Sequence, residues 1–356
     1  MDPASLIPSP DTIPAPWWFF EALLLLTFFV HLLFMNAMLG TAMIALVREM
    51  RGQPNDPPPC RDIANTLPYT IAFAVNFGVA PLLFLQVLYG HFIYTSSILM
   101  GVYWLSIIGL LILAYYSAYL YKMATDLPPI TRKRALGTSL VLLLTIAFLF
   151  VNNITLMQTP HIWPVYFNRP DGTFLNLADP TLLSRYLHFV VASVATGGLF
   201  LAILASFRQK KGDPGAAKQL RAGMQWFTYA TVVQIGTGIP FLFSMPKEVH
   251  QLFVGGALPH TTFFLVSLIT AFFCLYYGNK EKVWPATFAM AATIFLMVLV
   301  RDLARQAYLA KYFHPSDLEV IPQWSPLFLF LVILVIGVAV VVYMLRLAAR
   351  VPEEVR

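Results

Sequence analysis

Charge is scarce in this sequence. Asp, Glu, Lys and Arg supply 11% of 356 residues, against about 25% in soluble globular domains. A water-facing surface over most of the chain is thereby excluded. Cysteine is scarcer, with only Cys60 and Cys274. No CxxC pair exists to build a thiolate metal site, and no CxxCH to attach a c-type haem. The opening MDPASLIPSPDTIPAPWWFF lacks a basic n-region and is rich in proline, so it does not read as a cleaved signal peptide. What is abundant is apolar sequence, 58% of residues, in long runs along the whole chain. That composition describes a polytopic, all-α membrane protein. The formal net charge of +6 then reflects positive residues gathered on one membrane face, and no nucleic-acid partner is implied.

A spanning helix needs about 20 mostly apolar residues. Nine segments qualify: 17–47, 67–97, 99–124, 134–157, 182–207, 221–245, 252–277, 284–310 and 323–347. Short linkers such as GQPNDPPPCRD (52–62) and RQKKGDPGAAKQLR (208–221) separate them. Lys and Arg divide 17 to 6 between the two sets of loops and span ends. The bias of positive loops toward the cytoplasm places the N-terminus outside and the C-terminus inside, with Trp17 and Trp18 at the outer interface. On this topology none of the seven histidines lies near the cytoplasmic face. The deepest, His31, is 14 residues inside Trp17, or about 21 Å of helix.

The sequence repeats. His31 is followed nine residues later by Gly40 and twenty later by Arg51; His188 is followed at the same offsets by Gly197 and Arg208. Pro81 precedes His91 by ten, as Pro240 precedes His250, and Phe84 and Phe243 each follow their proline by three. TIAFLFVNNI (145–154) matches TIFLMVLVRDL (293–303) with one residue of slip. The expected architecture is two parallel four-helix units with a ninth helix extra, the pseudo-axis lying along the membrane normal. Its parts are an outer N-terminal segment (1–16), a first unit (17–157), an outer loop (158–181), a second unit (182–310), and a tail with loop, ninth helix and cytoplasmic end (311–356).

Polar groups within spans are rare and usually functional. His31 and His188 occupy repeat-equivalent positions, each backed by small residues: Ala37 and Gly40, and Ala195, Gly197 and Gly198. Small residues admit either a flat macrocycle or a second helix, so ligation and a hydrogen-bonded structural ring both remain open. His260, in LPHTTFF, falls about two turns into the seventh span at the depth of His188; two imidazoles at one depth can hold one iron from both faces. His91 and His250, at outer span ends, read more simply as interface residues. Arg301, Asp302, Arg305 and Gln306 lie in VRDLARQAY. An arginine fork there suits carboxylates such as haem propionates, although Asp302 can equally be a structural partner of either arginine.

These motifs resemble a known family. HLLFMNAMLG (31–40) is similar to the first-span haem-ligand motif of subunit I of cytochrome bd-type quinol oxidases, and RYLHFVVASVATGGLF (185–200) to its fifth-span motif. NFGVAPLLFLQ (76–86) resembles its second span, and DLARQAY (302–308) loosely resembles its Glu-x-Gly-Arg-Gln-Pro-Trp motif. The resemblance implies that His188 ligates a low-spin haem b, with His260 where the family uses Met. It implies His31 at the oxygen-reducing haem, Asp302 where a Glu ligates the remaining high-spin haem b, and Arg305 and Gln306 as the Arg-Gln pair. Departures are plain. Phe84-Leu85-Gln86 carries no acidic residue for proton delivery, the sixth-to-seventh link is only MPKEVHQ (245–251), and the Gly and Pro-Trp of the oxidase motif are missing.

The expectation is therefore a divergent relative that keeps one to three haems b and has lost oxygen chemistry. It would be a multi-pass subunit of a bacterial inner membrane, in contact with lipid. It would pass electrons between the quinone pool and an outer-face partner, such as a periplasmic multihaem cytochrome c or another redox subunit. A quinone could sit near Lys247, Glu248 and His250. The rival readings are a working quinol:oxygen oxidase core and a haem-free anchor or transporter.

Overall fold

A computed structural model describes residues 3–51, 59–123 and 128–350; most of the linker GQPNDPPPCRD lies outside the described residues. The described chain is helical because hydrocarbon offers the backbone no hydrogen-bond partners, so each apolar run must satisfy its own N–H and C=O groups. The long helices are α1 (Trp17–Arg51), α2 (Pro59–Leu99), α3 (Gly101–Met123), α4 (Pro129–Gln158), α5 (Pro180–Lys210) and α6 (Ala216–Ser244). After a short α7 (Lys247–Gln251) come α8 (Leu258–Asn279), α9 (Val283–Leu309) and α10 (Trp324–Arg350).

Eight of these helices are long and apolar enough to cross a membrane, which makes the protein a multi-pass membrane protein. The expected sixth span is the exception. It forms as α6, but Thr228, Thr231, Gln234 and Thr237 dilute its apolar character. The expected seventh span also starts late. Leu252–Gly256 forms one wide π-turn, Gly255 takes a positive φ of 102°, and α8 begins only at Leu258 with Pro259 in its first turn. His260 therefore lies in the first turn of α8 and not two turns inside a span, because the only backbone geometry that closes this turn is one glycine supplies.

α1 packs along α2 and α5, α5 along α6, α3 along α4, and α8 along α9. The α1–α5 crossing is backbone on backbone. A Cβ on Gly40 would stand 1.8 Å from the Ser193 carbonyl oxygen, and one on Gly197 would stand 2.4 Å from the Gly40 carbonyl carbon. Gly198 and Gly223 bring α5 and α6 nearly as close, a Cβ on each standing 2.6 Å and 2.8 Å from backbone of the other helix. The glycines that backed the two histidines in sequence are thus filled by helices, as small residues are at membrane-helix interfaces. Gly40 and Gly197, each nine residues after its histidine, meet each other.

α10 differs from the rest. No part of its apolar stretch is buried, and its residues are apolar on every face, as suits a helix in lipid. At the end of the bundle that bears the histidines, the N-terminal segment is tied to the α9–α10 loop. Ile13 N donates to Glu319 O at 2.9 Å and Ile321 N to Ile13 O at 2.9 Å, and Trp17 meets His314 edge-on. Ile13, Ala15, Phe313 and Leu318 are buried there, so this face is strapped over by protein.

Candidate cofactor site

His31 projects from α1 onto α2. Its Nδ1 lies 2.9 Å from the Ala74 carbonyl oxygen. A carbonyl can only accept, so the ring proton belongs on Nδ1 and the Nε2 lone pair is left without a hydrogen bond. This is the arrangement by which proteins fix the tautomer of a metal-binding imidazole. Gly78 makes it fit: a Cβ there would stand 2.9 Å from His31 Cε1. The Phe28 ring lies 6.2 Å away on the same helix.

His188 projects from α5 onto α6 in the same manner. A Cβ on Gly238 would stand 3.1 Å from its Cε1. Here side chains hold the ring: Thr237 Oγ1 is 3.4 Å from Nδ1 and Gln234 Nε2 is 2.8 Å from Nε2. The Thr237 hydroxyl donates to the Gln234 carbonyl at 3.0 Å, so it accepts from His188 Nδ1–H. Nε2 is then an acceptor facing the Gln234 amide. Both histidines thus share one tautomer. Gln234 Oε1 remains buried without a partner.

The remaining residues assemble less completely. The His260 ring packs edge-on against Phe253 at 5.2 Å, and its Nδ1 is buried without a partner. His188 bonds to α6, and no hydrogen bond or ring contact joins the two histidines among the described residues. Asp302 is buried, and both its oxygens are engaged: Oδ1 pairs with Arg305 and Oδ2 accepts from Gln306 Nε2 at 2.8 Å. The same amide nitrogen donates to Glu21 Oε1 at 2.6 Å. Arg301 makes no hydrogen bond among the described residues. Its guanidinium lies over the Phe28 ring at 4.3 Å and lines a cleft of about 10 Å³ with Leu24, Leu25 and Asp302, room for about one water. Arg301 stands eight residues from the end of α9, with an aromatic face as its partner.

Of the other histidines, His91 is buried against Phe92 and Phe313. His250 Nδ1 lies 3.3 Å from Met245 O, and His161 and His314 are exposed. Among the described residues no group of three or more His, Cys, Asp and Glu side chains could hold a metal ion. That leaves the two imidazoles to be judged as single axial ligands. His31 fits an iron porphyrin through its open Nε2 and flat glycine cradle. His188 fits if iron replaces the Gln234 amide. Asp302 fits only if iron displaces or joins Arg305 at Oδ1 or Gln306 at Oδ2.

Sequence reading missed Gly78, Gly238, Gln234, Thr237, Glu21 and Arg185. One signal was available: Gly78 and Gly238 stand three and two residues before the repeat prolines Pro81 and Pro240.

Neither a protein-family model nor a curated protein sequence matches the chain. Among solved structures it is similar to bd oxidase from Geobacillus thermodenitrificans, with a TM-score of 0.63, 15% identity and 99% of each chain covered. At that identity the likeness establishes the fold. The fold is that of a bd oxidase across the whole chain, as the motifs around His31 and His188 led one to expect.

Proposed function

We propose that the protein is a haem b-binding electron-transfer subunit of a bacterial inner membrane, built as two parallel four-helix units with α10 extra and with its histidine-bearing end outside. It passes electrons between the quinone pool and a redox partner at that end, a multihaem cytochrome c being the partner class proposed from the outward bias of the imidazoles. One observation carries this reading. Two imidazoles at repeat-equivalent positions share a tautomer, each lies on a glycine of the neighbouring helix, and each directs an Nε2 lone pair away from its anchored Nδ1.

Haem supplies reversible one-electron chemistry when bound. His31 and His188 would each hold one iron through Nε2. Ala74 and Thr237 would keep the ring proton on Nδ1 and so keep Nε2 basic. His260 is the candidate opposite ligand on α8. Asp302 holds Arg305 in place and is not assigned to iron. Arg301 and Arg305 would meet propionates. Burial and these charges set the potential.

The bd oxidase fold favours a second reading, a quinol:oxygen oxidase. Oxygen uptake by the purified protein with quinol as donor would establish that reading and displace the first. A reduced-minus-oxidised spectrum tests both. We expect b-type bands, and His188→Ala should remove one low-spin signal from protein that remains folded. A complete spectrum in that variant would overturn the ligand assignment, and no haem bands in the wild type would leave a haem-free anchor or transporter.

A further inference from the structure

At the end of the bundle opposite the histidines, several cations are already engaged. Arg132 pairs with Glu49, and Lys122 donates to the Tyr69 hydroxyl at 3.3 Å. Three lysines of the second unit are not. Lys210 ends α5, and Lys280 and Lys282 flank the α8–α9 turn; among the described residues none of them makes a hydrogen bond or an ion pair. The acid beside them is used elsewhere: Glu281 reaches Arg221 of α6 at 3.0 Å. It does so with a φ of 53°, a conformation that residues other than glycine rarely adopt. The turn thus holds Lys280 and Lys282 exposed to either side of a carboxylate that is already neutralised.

Beside Lys210 lies an exposed aromatic face. Phe207 of α5 and Trp284 of α9 meet edge-on, their ring centroids 5.7 Å apart, and Lys210 Nζ stands 6.0 Å from each ring. Phe288, one turn further along α9, is exposed as well. That distance is the outer reach of a cation–π contact, so the rings place the ammonium and leave its three N–H donors open. Exposed rings beside a cation, at a helix end in a membrane, match the boundary between acyl chain and headgroup.

We propose that Phe207, Lys210, Lys282 and Trp284 form a site for one anionic phospholipid, in the leaflet opposite the histidines. The phosphate meets Lys210 and Lys282, which stands two residues before Trp284, and an acyl chain lies over Phe207, Trp284 and Phe288. Charge and polarity together select this occupant. Unpaired ammonium groups attract an anion, and exposed rings next to them are covered by hydrocarbon. A soluble anion satisfies only the first requirement, and a zwitterionic lipid brings its own cation to the second.

The test uses full-length protein, delipidated in detergent and titrated with phosphatidylglycerol or phosphatidylcholine of the same acyl chains while bound lipid is counted by native mass spectrometry. Wild-type protein should bind its first phosphatidylglycerol at least about tenfold more tightly than phosphatidylcholine. Lys210→Gln and Lys282→Gln should each lower that preference about fivefold. Trp284→Ala should weaken both lipids alike, and Lys122→Gln, whose charge is already engaged, should change nothing. Equal affinity for the two lipids in wild-type protein would overturn the site. So would an equal loss in Lys122→Gln, which would mean a diffuse basic face. Displacement of phosphatidylglycerol by inorganic phosphate would overturn it too, since the lysines would then hold a free anion without need of the rings.

Discussion

The His31 and His188 centres are the same construction anchored in two ways. In both, an imidazole leaves one helix and lies on a glycine of the next, with the ring proton held at Nδ1. At His31 the acceptor is the Ala74 backbone carbonyl, which can neither rotate nor donate. At His188 it is the Thr237 hydroxyl, backed by Gln234 at Nε2, and both groups can turn. The difference teaches that the backbone sets the imidazole geometry through helix packing, whereas the polar anchor sets how firmly one tautomer is held. A similar divergence separates α4 from α9. Where the first half carries neutral Asn152 and Asn153, bonded to Asn176 N and to Ser96 and Ser97, the second carries Arg301 and Asp302.

The most severe way to break the comparison is at the contact both halves share. Gly40→Leu drives a side chain into the α5 backbone, with the Ser193 oxygen 1.8 Å from the new Cβ. Backbone cannot give way as a side-chain end can, so folded protein should vanish from detergent extracts on size-exclusion chromatography. A monodisperse variant would show that the crossing is looser than described.

Making α9 more like α4 comes next. Asp302→Asn leaves Arg305 a buried, uncompensated cation, at a cost of about 3–5 kcal/mol. Thermal unfolding in detergent should shift sharply downward, whereas Asn153→Asp in the first half should be harmful for the opposite reason, a new unpaired carboxylate. Equal, small effects would mean the ion pair is solvated.

The finest cut sharpens the two centres themselves. Gly78→Ala places a Cβ 2.9 Å from its ring and Gly238→Ala one 3.1 Å from its ring. The obstructed atom in each case is the end of a side chain, so stability should change little. The imidazole must swing, however, and the haem band lost should be larger for Gly78→Ala. A fall in melting temperature with unchanged spectra would mean that the glycines serve packing and not ligation.

Much of this was legible in the chain. Long apolar runs dictate helices, since no other structure satisfies the backbone in lipid. The repeat offsets singled out His31 and His188, the two imidazoles that lie on a glycine of the neighbouring helix. The last helix, α10, was legible as an extra element because it falls outside the repeat of the two four-helix units. Other features were hidden. α6 reads as a span, yet its Gln234 and Thr237 are the groups that hold His188, and nothing in local composition distinguishes a polar residue turned to a partner from one turned to a cavity. The displacement of His260 depended on a π-turn at Gly255, which no apolar periodicity records.

The sequence alone determined that this is a helical, multi-pass membrane protein with two equivalent imidazoles, because hydropathy and spacing are properties of the chain by itself. Only the tertiary structure decided which atoms meet those imidazoles and that the flanking glycines serve helix crossings. Such contacts join residues from more than forty to more than one hundred and fifty positions apart, and close packing rather than local pattern selects them.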